Sequence, residues 1–205
     1  LEAARTGAAL LDQSDCGVLL VVGDRAEAPL QQMLTSDVGA VNPGECQLAF
    51  MLDEDSRLID DVCVLRLPED EIGRDRYLLR TNPENHERVK AWVRAMSDGY
   101  TLFDSQDIFR KVEGPLIVED LRLADEARCM VVLSLRGPRA PEMATAVENA
   151  PGYRFAIADD RVDLALPASQ AQAVYDRLVE AGAVPAGPET RRALRVSGPA
   201  GTAPA

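Results

Sequence analysis

Short blocks of apolar residues, separated by turn residues, follow one another along most of the chain. Runs with the length and punctuation of strands occur at residues 17–23, 46–52, 58–67, 77–81, 117–121, 129–135, 155–157 and 162–166. Apolar positions at helical spacing predict helices that include residues 25–34, 89–96, 143–147, 174–179 and 189–196. Strands and helices are therefore mixed along the whole sequence.

The same order of elements occurs twice. Residues 22–26 and 136–140 each join a strand to a helix, and residues 81–83 and 165–167 each join a later strand to a second helix. Each of these two stretches of the chain therefore has the order strand, helix, hairpin, helix. That order is typical of an antiparallel sheet with helices on one face.

The predicted fold class is α+β, with two related antiparallel-sheet halves. Residues 1–106 form the first half, which carries a hairpin with two adjacent aspartates, and residues 107–198 form a second, ferredoxin-like half. The last residues, 199–205, are small or proline and are predicted to be a disordered tail.

The chain is acidic, with 22 lysines and arginines against 34 aspartates and glutamates and a net charge of −12. A surface that neutralises phosphate normally has a basic excess, so neither nucleic acid nor an anionic membrane is expected as a partner. No apolar run reaches the roughly 18 residues of a membrane span. The first residues show no basic start followed by an apolar segment, so no export signal is expected.

Residue types of common catalytic and metal sites are scarce. The cysteines form no C-x-x-C pair, which favours buried reduced thiols and a cytoplasmic location; they are Cys16, Cys46, Cys63 and Cys129. His86 is the single histidine, so no metal site is expected. No glycine-rich phosphate loop occurs either. Carboxylates are therefore the main candidates for chemistry.

Asp60 and Asp61 interrupt an otherwise apolar strand. Because strand side chains alternate between faces, one of the two must point toward an apolar layer. Burying a carboxylate costs on the order of several kcal/mol unless it is hydrogen-bonded or meets a cationic ligand. A functional carboxylate is one interpretation. The alternative is a hairpin edge whose aspartates take backbone or arginine contacts.

Three further groups of polar residues are candidates. Asn82 and Asn85 lie at a strand-to-helix junction and are predicted to cap the following helix. Asp163 lies inside a predicted strand rather than in the adjoining turn. Arg191 and Arg195 share one face of the last helix, where they meet either an anionic ligand or neighbouring acidic residues.

Six segments, in the same order and at compatible spacing, resemble the glycine-cleavage T-protein family of tetrahydrofolate-binding aminomethyltransferases. Asn82-Pro-Glu-Asn85 is similar to that family's N-A-x-N, and Leu135-Arg-Gly-Pro-Arg-Ala140 is similar to its L-Q-G-P-x-A. The six segments together are residues 34–44, 48–62, 82–85, 135–140, 162–167 and 187–195. The resemblance covers nearly the whole chain.

The resemblance implies a role for four residues. Asp61 corresponds to the family's key carboxylate, near the N5 and N10 atoms of the folate. Asp163 takes the position of a glutamate that grips the pterin, one methylene shorter. Arg191 corresponds to a folate-contacting arginine, and Asn82 to an asparagine near the pocket. Tetrahydrofolate, held between the two halves, is the implied cofactor.

The chain departs from the family pattern at three aromatic positions, which are Leu48, Leu65 and Ala156 here. Aromatic walls stack flat rings, so these changes weaken the expected grip on a pterin. The family's C-terminal β-barrel domain has no counterpart in the sequence, so the site is expected either to borrow a lid from a protein partner or to work as an open site.

Two functions follow from the resemblance. The first is a cytoplasmic tetrahydrofolate-dependent transferase or demethylase of methyl or aminomethyl groups, acting on a small-molecule substrate. The alternative is a non-catalytic or repurposed relative. That relative would be a small-molecule-binding protein, or a partner chain of a larger complex such as the small chain of heterotetrameric sarcosine oxidase.

Overall fold

The computed structural model describes residues 1–99, 101, 106–107, 109 and 114–196, with the backbone alone at residues 195 and 196. These residues form six helices: α1 (Glu2–Thr6), α2 (Glu27–Met33), α3 (His86–Ser97), α4 (Ala140–Thr145), α5 (Ala168–Glu180) and α6 (Pro188–Val196). They also form ten strands: β1 (Ala9–Asp12), β2 (Gly17–Gly23), β3 (Cys46–Leu52), β4 (Leu58–Leu67), β5 (Asp75–Thr81), β6 (Ile117–Asp120), β7 (Met130–Arg136), β8 (Tyr153–Ala158), β9 (Arg161–Pro167) and β10 (Val184–Ala186). The tail predicted at residues 199–205 lies outside the described residues.

All eight predicted strands occur, each within two residues of its predicted bounds. Three short elements were not predicted, namely α1, β1 and β10. Each has five residues or fewer, which is too short for a periodic pattern to stand out.

The chain folds as two compact units. The central unit contains Ser14–Val131 and Pro167–Ser169, and the terminal unit contains Leu1–Gln13, Val132–Leu166 and the chain from Gln170 onward. The units are interleaved along the sequence, whereas the two predicted halves, residues 1–106 and 107–198, are contiguous. The N-terminal segment belongs with the later residues because β1 pairs with both β7 and β10.

The sheet of the central unit has the strand order β3-β4-β5-β2-β6, and each adjacent pair is antiparallel. Helices α2 and α3 cover one face through a buried apolar cluster, to which they contribute Leu30, Met33, Val89, Val93 and Met96. The strand residues of that cluster include Ala49, Met51, Val62, Val64, Tyr77 and Leu79. Residues that alternate with these along each strand point to the opposite face.

The sheet of the terminal unit has the strand order β10-β1-β7-β9-β8. Strand β1 is antiparallel to β7 and parallel to β10, and β8 is antiparallel to β9. Helices α4 and α5 contribute Met143, Ala144, Val174 and Leu178 to the apolar cluster of this unit.

Both units share the order strand, helix, two strands, helix, strand that defines ferredoxin-like folds. Each adds one further strand: β3 lies at the edge of the central sheet, and β1 is inserted between β10 and β7. The predicted α+β class with two antiparallel-sheet units is therefore confirmed, apart from the parallel β1–β10 pair. Among the described residues, no helix combines the length and the apolar character needed to cross a bilayer.

Candidate functional site

A β-bulge directly precedes the two adjacent aspartates of β4. Leu52 pairs with Leu58, but Met51 pairs with Asp60, so Ile59 is an extra residue in β4. Beyond the bulge, Asp61 pairs with Phe50. Because Val62 and Val64 face the helices, Asp60 points to the helix side and Asp61 to the opposite face.

Asp60 is the buried member of the pair, with only 1% of its surface exposed. Its Oδ2 accepts a hydrogen bond from the Asn82 backbone N at 2.9 Å, and its Oδ1 accepts from the side-chain amides of Asn82 and Asn85 at 2.9 and 2.8 Å. These three hydrogen bonds satisfy the buried carboxylate, and none of them comes from an arginine.

The expected helix cap at Asn85 is therefore wrong. Asn85 is the residue before α3, but its side chain makes no capping hydrogen bond. Its side-chain nitrogen donates to Asp60 Oδ1. Asn82 lies three residues earlier and binds the same carboxylate.

Asp61, the predicted catalytic residue, is exposed on the face of the sheet away from the helices. Its Oδ1 accepts a hydrogen bond from Asn82 Nδ2 at 2.5 Å, and its backbone carbonyl accepts from the same nitrogen at 3.2 Å. Among the described residues, no hydrogen-bond donor reaches its Oδ2. The arrangement provides one oxygen fixed by the protein and one oriented oxygen for a ligand. The expectation of an apolar layer around one aspartate applies to Asp60 rather than to Asp61.

The amide of Asn82 has a single workable orientation. Arg80 Nη1 donates to Asn82 Oδ1 at 3.4 Å, while the two aspartates surround Nδ2. Exchanging the amide O and N would place an oxygen against carboxylates and a nitrogen against a guanidinium. Arg80 itself is 3% exposed and also contacts Cys16 Sγ at 3.3 Å. Asn82 is thus a buried positioning group for Asp61.

Asp163, predicted to bind the cofactor, is fully buried in the terminal unit. The Ser134 hydroxyl donates to its Oδ1, and Arg161 Nη2 donates to its Oδ2 at 3.1 Å. Arg136 lies 3.9 Å away and also donates to Ser134 Oγ at 2.9 Å. Both oxygens are therefore engaged inside the same unit, in a buried network of one acid, one hydroxyl and two arginines.

Arg191 is the fourth residue of α6 in the terminal unit and is half-buried. The structure brings Asp61 and Asn82 into direct contact within the central unit, while Asp163 and Arg191 belong to the terminal unit. The resemblance assigns these four residues to one site, and the two units hold them as two separate pairs.

The three positions that depart from the aromatic pattern differ in exposure. Leu48 on β3 is 46% exposed, Leu65 on β4 is 2% exposed, and Ala156 on β8 is exposed. Sequence reasoning missed Phe50, which lies two residues after Leu48 and pairs with Asp61. Period-two alternation along β3 places Phe50 on the face of Leu48. Which residue of β4 pairs with Phe50 depends on the bulge at Ile59, and no sequence pattern marks that bulge.

His86 lies at the centre of a second polar cluster in the central unit. Its Nδ1 is 2.8 Å from Thr81 Oγ1 and its Nε2 is 2.9 Å from Asp120 Oδ2, and its side chain is fully buried. Lys90 Nζ lies 2.9 Å from the same Asp120 oxygen and 2.7 Å from Glu87 Oε2. Burial alone would raise the pKa of Asp120, but the hydrogen bonds and charges of Lys90 and His86 bring it below its usual value.

His86, Glu87 and Asp120 place their ligand atoms within 4.8 Å of one another, a spacing that fits a metal ion. The ammonium of Lys90 already supplies a cation bound to both carboxylates. The cluster is therefore a salt-bridge network centred on Lys90.

A cavity of about 180 Å³ opens on the helix side of the central unit. Met33, Trp92 and Met96 line it together with the β3–β4 turn. None of the four predicted site residues contributes to its walls.

Comparison with known proteins places the chain in a family. The model of the GCVT N-terminal domain matches residues 1–155. The aminomethyltransferase of Exiguobacterium sibiricum is 32% identical over 196 residues, which cover 94% of this chain and 52% of that protein. The aminomethyltransferase of Herpetosiphon aurantiacus is 26% identical over 215 residues, covering 95% and 53%.

The chain belongs to the GCVT N-terminal domain family, which confirms the resemblance seen in its six segments. The chain spans about half the length of the curated relatives it matches. Among solved structures, glycine cleavage system aminomethyltransferase T from Bartonella henselae has the same fold, with a TM-score of 0.59 and 22% identity. That match covers 87% of this chain and 47% of the Bartonella chain.

Proposed function

We propose that this protein is a tetrahydrofolate-dependent transferase or demethylase for methyl or aminomethyl groups, with Asp61 as its catalytic carboxylate. The observation that carries the proposal is the geometry of Asp61. This exposed carboxylate has one oxygen fixed by Asn82 and leaves the other to a ligand. Membership of the GCVT N-terminal domain family and the aminomethyltransferase relatives support the same activity.

The residues around Asp61 fit a flat ring that carries N–H groups. A carboxylate accepts hydrogen bonds from such groups, and Phe50, paired with Asp61, presents an exposed ring on the same face. When bound, tetrahydrofolate supplies the acceptor or donor of the one-carbon group. The substrate is a small molecule, and a protein partner is proposed to complete the site.

Asp61 performs two tasks in this proposal. Its free oxygen orients the ligand, and its negative charge stabilises the positive charge that develops on nitrogen as a one-carbon group moves. Asn82 keeps the carboxylate in place, and Arg80 keeps the amide of Asn82 in its working orientation. Prearranged charges of this kind do not have to reorganise during the reaction, which is why they are effective.

Asp163 and Arg191 are proposed to hold the cofactor, as the resemblance implies. The burial of Asp163 changes how it would act, because its oxygens already bind Ser134 and Arg161. Asp163 would then act through those neighbours or give up one of these contacts to a ligand. A cytoplasmic location is proposed together with this function.

The second candidate is a repurposed relative that binds a different small molecule or serves as a partner chain. The engagement of both oxygens of Asp163 favours it, and so does the burial of Leu65 at a position where the resemblance expects an aromatic wall. The two candidates differ in whether tetrahydrofolate binds at all.

Titration calorimetry with tetrahydrofolate and its 5-formyl derivative tests the proposal. We expect saturable binding, and we expect Asp61→Asn to abolish turnover while the far-ultraviolet circular dichroism stays unchanged. Glu54→Gln is the matched control, because it removes one exposed carboxylate charge from the turn of the same hairpin. Absence of binding to the wild-type protein, together with co-purification of a larger oxidase, would establish the second candidate instead.

A further inference from the structure

We propose that the Phe50 side chain is the stacking wall for the flat heterocycle that binds at Asp61, so that Phe50 determines which ring this site accepts. This inference deepens the proposed function and rests on it. The resemblance expects the aromatic wall at other positions, and it assigns no role to Phe50.

The first observation is that Phe50 is a large apolar side chain left in contact with water. It is 55% exposed, in a chain in which only 4% of residues are phenylalanine, tyrosine or tryptophan. Phe155 of the terminal unit is fully buried. Exposing an aromatic ring forgoes the stabilisation that its burial would bring. An exposed ring next to an exposed carboxylate is therefore a candidate for binding.

The second observation is the close pairing of Phe50 with Asp61 across β3 and β4. Both backbone polar groups of Phe50 point away from β4: its N donates to Thr35 Oγ1 at 3.0 Å, and its O accepts from Thr35 N at 3.0 Å. Phe50 and Asp61 are therefore a non-hydrogen-bonded pair. In such pairs the Cα atoms approach to about 4.5 Å and the side chains lie closer than in the other pair type.

The third observation is that the strand carrying Phe50 is held in place although it lies at the edge of the sheet. Thr35 binds both backbone groups of Phe50, and Ser36 Oγ donates to Leu48 O at 2.7 Å. Leu34 forms a bridge with Met51. The segment from Leu34 to Ser36 thus covers the outer edge of β3, and the ring of Phe50 projects from a fixed backbone.

These observations define the chemistry of the ligand. Asp61 Oδ2 accepts a hydrogen bond from an N–H group or faces a positive charge in the ring plane, and Phe50 supplies an apolar surface to the face of that ring. Leu48, 46% exposed and two residues before Phe50, extends this surface. A flat nitrogen heterocycle with N–H donors meets both requirements, whereas an aliphatic amine meets only the first.

Affinity measurements with two ring probes test the inference. The probes are tetrahydrofolate and oxidised pterin, a flat ring that lacks the aminobenzoyl-glutamate tail. Stacking on an aromatic side chain is worth about 1–3 kcal/mol by alanine substitution, so we expect Phe50→Ala to weaken binding of both probes by roughly 5- to 150-fold. Phe50→Tyr keeps the ring face and should change affinity by less than about threefold.

Leu58→Ala is the matched control, because Leu58 lies on the neighbouring strand and is also 55% exposed. It should leave both affinities unchanged, and thermal unfolding should show that all three variants fold. Equal affinity of Phe50→Ala and the wild-type protein would overturn the inference, and so would a Phe50→Ala variant that changes only the oligomeric state.

The two proposals fail in different ways. If tetrahydrofolate binds and supports turnover but Phe50→Ala binds it normally, the stacking role is wrong and the proposed function stands. If pterin binds in a way that depends on Phe50 but tetrahydrofolate supports no turnover, the stacking role stands and the proposed function is wrong. If neither probe binds, both are wrong.

Discussion

Asp60 and Asp61 share a single donor, the side-chain nitrogen of Asn82, which lies 2.9 Å from Asp60 Oδ1 and 2.5 Å from Asp61 Oδ1. Asp60 uses this contact as one of three that satisfy it in the interior. Asp61 uses it as its single side-chain anchor among the described residues while the rest of its carboxylate faces outward. Adjacent residues of identical chemistry thus have separate tasks, one in stability and one in binding.

Replacing Asp60 should therefore lower the free energy of unfolding much more than replacing Asp61. Asp60→Ala leaves the buried backbone N of Asn82 and the half-buried side-chain amide of Asn85 without this acceptor, and each such donor costs about 1–3 kcal/mol. Asp61→Ala removes an exposed group, and the free energy of unfolding should change by no more than about 0.5 kcal/mol. Urea titration of both variants measures the difference. A larger loss of stability in Asp61→Ala than in Asp60→Ala would contradict the assignment.

The buried carboxylate of Asp163 should contribute strongly to the stability of the terminal unit. Asp163→Ala leaves Arg161 and Arg136 without their buried counter-ion, a change that typically costs about 3–5 kcal/mol. Asp159→Ala, in the exposed turn before β9, is the control and should be nearly neutral. Denaturant unfolding of the two variants decides this. Equal stability would show that the arginines find other partners.

Asp120 should make the protein lose stability in acid. The pKa of Asp120 is lowered in the folded state, so its contribution is present above the pKa of the unfolded chain and disappears as the pH falls through the lowered folded value. The unfolding free energy of the wild-type protein, measured between about pH 7 and pH 2.5, should therefore fall once the pH drops below 3.8, the ordinary pKa of the Asp120 carboxyl. Asp120→Asn should be less stable at pH 7 and should show a shallower decline. If the unfolding free energies of the wild-type protein and Asp120→Asn decline in parallel as the pH falls, Asp120 is not the cause of the acid sensitivity.

Gly17 should resist substitution because of His86. A Cβ atom at position 17 would lie 1.7 Å from His86 Nδ1, and His86 is buried and bonded to Thr81 and Asp120. The ring has nowhere to move without breaking that chain, so Gly17→Ala should cost at least about 1–3 kcal/mol. Gly187→Ala is the control, since a Cβ atom there meets nothing within 4 Å. Thermal unfolding of both variants would reveal the contrast, and similar melting temperatures would mean that the ring yields easily.

Much of the fold was predictable because its strands are short, apolar and clearly punctuated. Strand β4 was predicted with its final bounds, and the apolar stripe of Val89, Val93 and Met96 correctly placed the buried face of α3. Strand β1 was not predicted. It has four residues, and its place in the sheet depends on partners that are more than a hundred residues away in sequence.

The candidate site was predictable in its residue types and less so in its geometry. The sequence placed two carboxylates in one strand and an asparagine at the next strand end, and these residues do meet. It also favoured a helix cap for Asn85, since asparagine before a helix usually caps it. In the structure the side-chain nitrogen of Asn85 donates to the Asp60 carboxylate, and proximity of this kind cannot be read from local sequence.

The order of apolar and polar residues by itself determined the α+β class, the repeated element order and the position of two carboxylates in a strand, because each of these depends on local periodicity. Only the tertiary structure decided which carboxylate is exposed, which aromatic ring accompanies it and how the chain divides into interleaved units. Regular alternation along β4 sends Asp60 and Asp61 to opposite faces, and the extra residue Ile59 sets the register that pairs Asp61 with Phe50. Register and long-range pairing result from packing across the sheet, so they are fixed only when the strands come together.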